Sequence, residues 1–107
     1  MLVLGRLIGE SIMIGDTVKV TVVATERNRV RVRVARTTWP IPAQEDVLFD
    51  SWLSLNEDLP MPPDVSCILV KIARGKAWLG FIAPKDIPVN RAEIYEALHH
   101  EKSERPD

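Results

Sequence analysis

Arg29-Val-Arg-Val-Arg-Val34 alternates a cation with a branched apolar side chain, without a break. Successive side chains of an extended strand point to opposite faces, so Val30, Val32 and Val34 form one face and Arg29, Arg31 and Arg33 the other. A helix would scatter these residues around its axis. The stretch therefore predicts a half-buried antiparallel strand, and its surroundings extend the pattern. Upstream, Val18, Val20 and Val22 face one way and Lys19 and Thr21 the other, with Glu26-Arg27-Asn28 as the turn between. Earlier still, Leu2–Ile8 reads as an opening strand, Gly9-Glu10 as a bend, Ser11–Ile14 as a second short strand and Gly15-Asp16 as a turn.

The same pattern returns further along. Val65–Ile72 is apolar almost throughout, Ala73-Arg-Gly-Lys76 turns the chain, and Ala77–Ile82 returns with Trp78 on one face and Leu79 and Phe81 on the other. The two strand–turn–strand units are offset by 47 residues. At that offset Val70 answers Val23, Arg74 answers Arg27, and Leu69, Leu79 and Phe81 answer Val22, Val32 and Val34. Any two hairpins share apolar alternation, so these matches raise an internal repeat without establishing it.

Between the two units, Thr37–Pro63 holds five of the eight prolines, in Trp39-Pro-Ile-Pro42 and Pro60-Met-Pro-Pro63. Proline deletes a ladder donor and biases its predecessor away from helix, so both ends read as extended connectors. Residues 43–55 fit a helix with Val47, Leu48, Trp52 and Leu55 on one side. A strand that uses Phe49, Ser51, Leu53 and Leu55 competes with it. The expectation is a helix inside an inserted, proline-bounded segment covering residues 37–64.

Ala83-Pro-Lys-Asp-Ile-Pro-Val-Asn-Arg-Ala-Glu-Ile-Tyr95 closes the fold. It reads as a turn, a short strand through Ile87 and Val89, and a helix start with Asn90 as the N-cap and Glu93 reaching back to it. That puts Arg91 in the first helical turn, where the dipole disfavours a cation. The helix runs to about Lys102 on an apolar stripe of Ile94, Tyr95 and Leu98.

Composition narrows the function classes. A chain of 107 residues with net charge −1 is sized for one domain, and any nucleic-acid binding must come from a local patch. Cys67 is the only cysteine, so no internal disulfide forms and a reducing, cytoplasmic setting fits. Arg6 and Glu10 interrupt the apolar N-terminal run, which is too short to span a bilayer. No phosphate loop, zinc spacing or nucleophile triad is present, so no enzyme, metal or cofactor is expected. His99 and His100 suit a helix C-terminus, and a lone pair is short of a metal site.

Two stretches together carry a family resemblance. Met1-Leu-Val-Leu-Gly-Arg-Leu-Ile-Gly-Glu-Ser-Ile-Met-Ile-Gly-Asp16 closely resembles the opening of the carbon storage regulator family (CsrA/RsmA), and Ala83–Tyr95 resembles its closing strand and helix. The likeness covers residues 1–36 and about 65–103. It implies a mainly β fold, a small antiparallel sandwich or barrel-like domain with a C-terminal helix, here with the insert and a second hairpin. It also implies an RNA-binding translational regulator that recognises GGA in single-stranded loops of messenger RNA leaders or small regulatory RNA. Carried over by position, the RNA-binding residues are Leu4, Gly5, Arg6, Leu7 and Ile8 with Ile87, Pro88, Val89, Asn90 and Arg91. Arg91 takes the place of the family's principal RNA-contacting arginine.

The family's usual form is an intertwined homodimer, which is the expectation here because its core needs strands from two chains. If the second hairpin supplies those strands, one chain stands for much of the dimer and stays monomeric. Four departures bear on the site. Gly5 replaces a small hydroxyl residue, Leu7 a frequent arginine and Asn90 a frequent histidine, while Pro88 lacks a backbone donor. They motivate an alternative, a divergent paralogue that acts through a protein partner. Arg29, Arg31 and Arg33 offer an extended RNA path, though such a stripe is more often a solvated sheet face. Trp39, Trp52 and Trp78 offer faces on which bases could stack, but read first as core added by the insert.

Overall fold

The computed structural model describes residues 1–38 and 41–104, of these the backbone alone at 38, 41–44 and 99–104. Nine strands precede one helix: β1 (Leu2–Arg6), β2 (Ser11–Ile14), β3 (Val18–Thr25), β4 (Arg29–Thr38), β5 (Ile41–Ser54), β6 (Asp58–Met61), β7 (Val65–Ala73), β8 (Lys76–Ile82), β9 (Val89–Arg91) and α1 (Ala92–Glu104). They form two antiparallel sheets, ordered β1-β8-β7-β6 and β5-β4-β3-β2-β9. The fold is mainly β, as the alternation predicts.

The two sheets share one core. Val18, Val20 and Val22 of β3 and Val30, Val32 and Val34 of β4 are fully buried, together with Cys67 and Leu69 of β7 and Leu79 and Phe81 of β8. Each strand thus gives one side of its pleat to the interior, and removal of that apolar area from water is the main stabilising term. Burial pushes the Cys67 thiol up to about 12, so it behaves as a small apolar filler.

The insert corrects the expectation of a helix over 43–55. Residues 41–54 form β5, paired along its length with β4 from Thr38↔Ile41 to Arg29↔Ser54. Leu53 is buried at 1% exposure, and Asp50 lies across from Arg33 and accepts hydrogen bonds from Arg31 and Arg33. A long partner strand carrying arginines rewards a carboxylate opposite it, and that cross-strand gain outweighs the local helical spacing. Trp52 and Trp78 are also not core. Leu53 and Leu79 take the inward positions, which leaves both rings on outer faces. Trp39 lies outside the described residues.

The helix start is corrected too. Asn90 and Arg91 belong to β9, where they pair with Met13 and Ile12 of β2, and α1 begins at Ala92. The edge of β2 claims the backbone that a cap would have used.

The 47-residue echo extends to the hydrogen-bonded ladders. β2–β3 pairs Ser11↔Thr21 through Ile14↔Val18, and β6–β7 repeats this as Asp58↔Ile68 through Met61↔Val65. β3–β4 has a bulge at Val23, and β7–β8 has one at Val70. β1 pairs with β8 as Leu2↔Phe81 through Arg6↔Ala77, and the end of β5 returns the pairing to β4 as Phe49↔Val34 through Leu53↔Val30. The bends agree as well: Gly9 N–H donates to Val22 O and Asn56 N–H to Leu69 O, both at 2.8 Å and both from positive φ. Each half lends its first strand to the other half's sheet.

Candidate functional site

Among the described residues, β1 and β9 are edge strands of different sheets, each with one row of backbone groups that no neighbouring strand claims. A groove of about 330 Å³ runs between their starts, lined by Leu2, Phe81, Ile82, Lys85, Ile87 and Val89 among others. The other ends are tied by a bidentate ion pair. Arg6 Nη1 lies 2.8 Å from Glu93 Oε1, and Nη2 lies 2.9 Å from Oε2. Arg6 also donates to the carbonyls of Gly5 at 3.0 Å and Ser11 at 3.2 Å.

This pair sets the local electrostatics. Arg6 is 5% exposed, so its guanidinium spends its donors inside the protein. The hydrogen bonds from Arg6 hold the Glu93 carboxyl down to about 2, with help from a backbone N–H and from the Arg6 and Arg91 charges. Glu93 keeps the Arg6 guanidinium charged, raising its pKa against the cost of burial. Glu93 therefore binds Arg6 across 87 positions instead of reaching back to Asn90.

A second tie fixes α1. Tyr95 is buried, and its hydroxyl donates to Asp16 Oδ1 at 3.1 Å. Gly15 N–H donates to Pro88 O at 2.7 Å, so Pro88 serves β2 as an acceptor and its missing donor costs that ladder nothing. These contacts present β9 with Arg91 exposed and, among the described residues, without a salt bridge.

The residues expected at the site separate into groups. Leu4 is core, Leu7 and Ile8 are exposed at 46% and 56%, and Gly5 is covered by a neighbour. A Cβ on Gly5 would stand 2.9 Å from the Trp78 ring. That explains the glycine: the indole occupies the space a side chain would need. Ile87, Val89 and Asn90 are half-buried, and Pro88 is exposed.

Arg29, Arg31 and Arg33 are not gathered with Arg91. They lie on β4, three strands from β9. Arg31 and Arg33 share Asp50 at 2.8 and 3.0 Å, while Arg29 pairs with Glu26 and stacks 4.1 Å from the Trp52 ring centroid. Sequence reasoning missed a different cluster, Trp78 with Lys76 Nζ 4.9 Å and Lys71 Nζ 5.4 Å from its ring centroid, next to β1. The signal was available: Lys71 and Lys76 flank the hairpin turn whose return strand carries Trp78.

Among the described residues, no group of three or more His, Cys, Asp and Glu is arranged to hold a metal, and no helix is long and apolar enough to cross a membrane. The side chains of His99 and His100 lie outside the described residues.

Edge strands, an exposed arginine and a cation-flanked indole mark the candidate site of a small two-sheet β protein. Residues 1–36 match the family of global regulator proteins called CsrA. Over 43 residues the chain is 37% identical to the translational regulator CsrA of Rhodopirellula baltica, a match that covers 40% of this chain and 61% of that protein. No solved structure gives a significant match. Both likenesses cover part of the chain, and the chain spans about 61% of that relative's length.

Proposed function

We propose that the chain is a non-enzymatic post-transcriptional regulator that binds single-stranded RNA with a GGA core. The observation that carries this reading is Arg91, an exposed guanidinium on a strand that is a sheet edge among the described residues. Unpaired bases offer their Watson–Crick edges to such groups, and a guanidinium stacks on bases or pairs with phosphates. Trp78, Lys71 and Lys76 add a stacking surface flanked by charge on the β1 side. Similarity to a translational regulator points the same way. Arg6 acts here as a positioning residue, holding β1 to α1.

Gel-shift titration with a GGA hairpin and its CCA counterpart tests the proposal. Preference for GGA supports it. Equal binding to both hairpins removes the sequence reading, and no binding removes the RNA reading in favour of a protein partner.

A further inference from the structure

The internal two-fold is complete in its ladders and broken at one edge. β9 lies on the outer edge of β2, while β6, the counterpart of β2, has nothing on its outer edge among the described residues. The segment 47 residues before β9 is 42–44, and it runs within β5 beside β4. The chain therefore spends on a connection the segment that would have completed the second edge.

The edge of β6 has also lost its donors. Gly15 N–H points to β9 and bonds Pro88 O. Strand N–H groups alternate in direction, so Met13, two residues earlier and paired with Asn90, points its own N–H the same way. The residues at these positions in the second half are Pro60 and Pro62. Neither has an N–H, so both donors that hold β9 to β2 are deleted from β6. The ion pair is missing there too, because Leu53 stands in the place of Arg6 and is buried.

We infer that one chain is a self-contained unit, two-fold in its ladders, with a single RNA site, working as a monomer with its second edge blunted by Pro60 and Pro62. The site count rests on the RNA-binding reading; the blunting of the edge does not. Two ends built on one plan thus serve different ends: β1 and β9 present the ligand surface, and the β6 end resists strand addition, the usual hazard of a bare edge.

Native mass spectrometry of the full chain, with and without excess GGA hairpin, tests this. The expected species are a 12.1 kDa monomer and a complex of one chain with one RNA. A stable protein dimer overturns the inference, as does a chain carrying two RNA strands. If no hairpin binds, the RNA reading fails, and the edge is decided without RNA. The variant Pro60→Met/Pro62→Gly, with Pro60→Met alone as a milder form, should dimerise with rising concentration where the parent stays monomeric. Variants that fold and remain as monomeric as the parent overturn the blunting.

Discussion

The Trp78 ring lies over Gly5, so close that a Cβ at position 5 would stand 2.9 Å from ring carbons. Gly5→Ala should therefore displace the indole or shift β1. Overpacking of this kind costs roughly 1–3 kcal/mol. Urea denaturation should give that loss, and Gly5→Ala/Trp78→Leu should recover most of it.

The Arg6–Glu93 pair predicts acid sensitivity. The folded Glu93 carboxyl sits at about 2 against an ordinary 4.5, a lowered value, so its contribution is present above the ordinary pKa and lost as pH falls from there toward 2. Glu93→Gln should be less stable than the parent at pH 7, and the gap should close below pH 3. Glu93 is itself half-exposed, and a hydrogen bond to a charged group is worth about 1.5–3 kcal/mol, so a loss near the lower end is expected. Thermal melts of the two proteins across pH 2–7 check the convergence.

Arg91→Ala should lower the melting temperature little, because its exposed side chain makes no salt bridge among the described residues and only its charge helps hold Glu93 ionised. RNA affinity should fall by about 1–3 kcal/mol, as for a lost charge-assisted contact. Affinity equal to the parent's would take Arg91 out of the site.

Asp50→Asn tests the arginine stripe. Asp50 holds both Arg31 and Arg33, and its carboxyl is shifted down, first by the Arg33 hydrogen bond. Freeing them should raise binding to non-specific RNA at low salt and steepen its decline with salt. Binding isotherms at several salt concentrations measure that slope, and an unchanged slope places the stripe off the RNA path.

Leu53→Ala should cost about 2–5 kcal/mol, the usual range for emptying a buried leucine site. A helix exposing Leu53 would tolerate the change, so urea denaturation also tests β5 as a strand.

Much of this fold is legible locally. Val18–Val34 and Val65–Ile82 declare their strands because alternation of apolar and polar residues needs no distant partner to be read. Residues 43–55 do not, because a helix and a strand both fit their spacing and the arginines of β4 settle the choice. The same holds for Asn90, a good cap by type that becomes a strand residue once β2 lies alongside. In the candidate site, Arg91 stands on β9 and not in the first helical turn that the capping pattern predicts. Arg6, expected among the RNA-binding residues, was not legible as a buried one, since tertiary structure brings its partner Glu93 to it.

Mass action has no hold on the reciprocal pairing of β1 with β8 and β5 with β4. Two separate chains exchanging first strands would part on dilution, and their stability would follow protein concentration. A covalent linker makes the meeting intramolecular and gives each half a fixed effective concentration of the other. The folded state should therefore persist unchanged down to nanomolar protein concentrations.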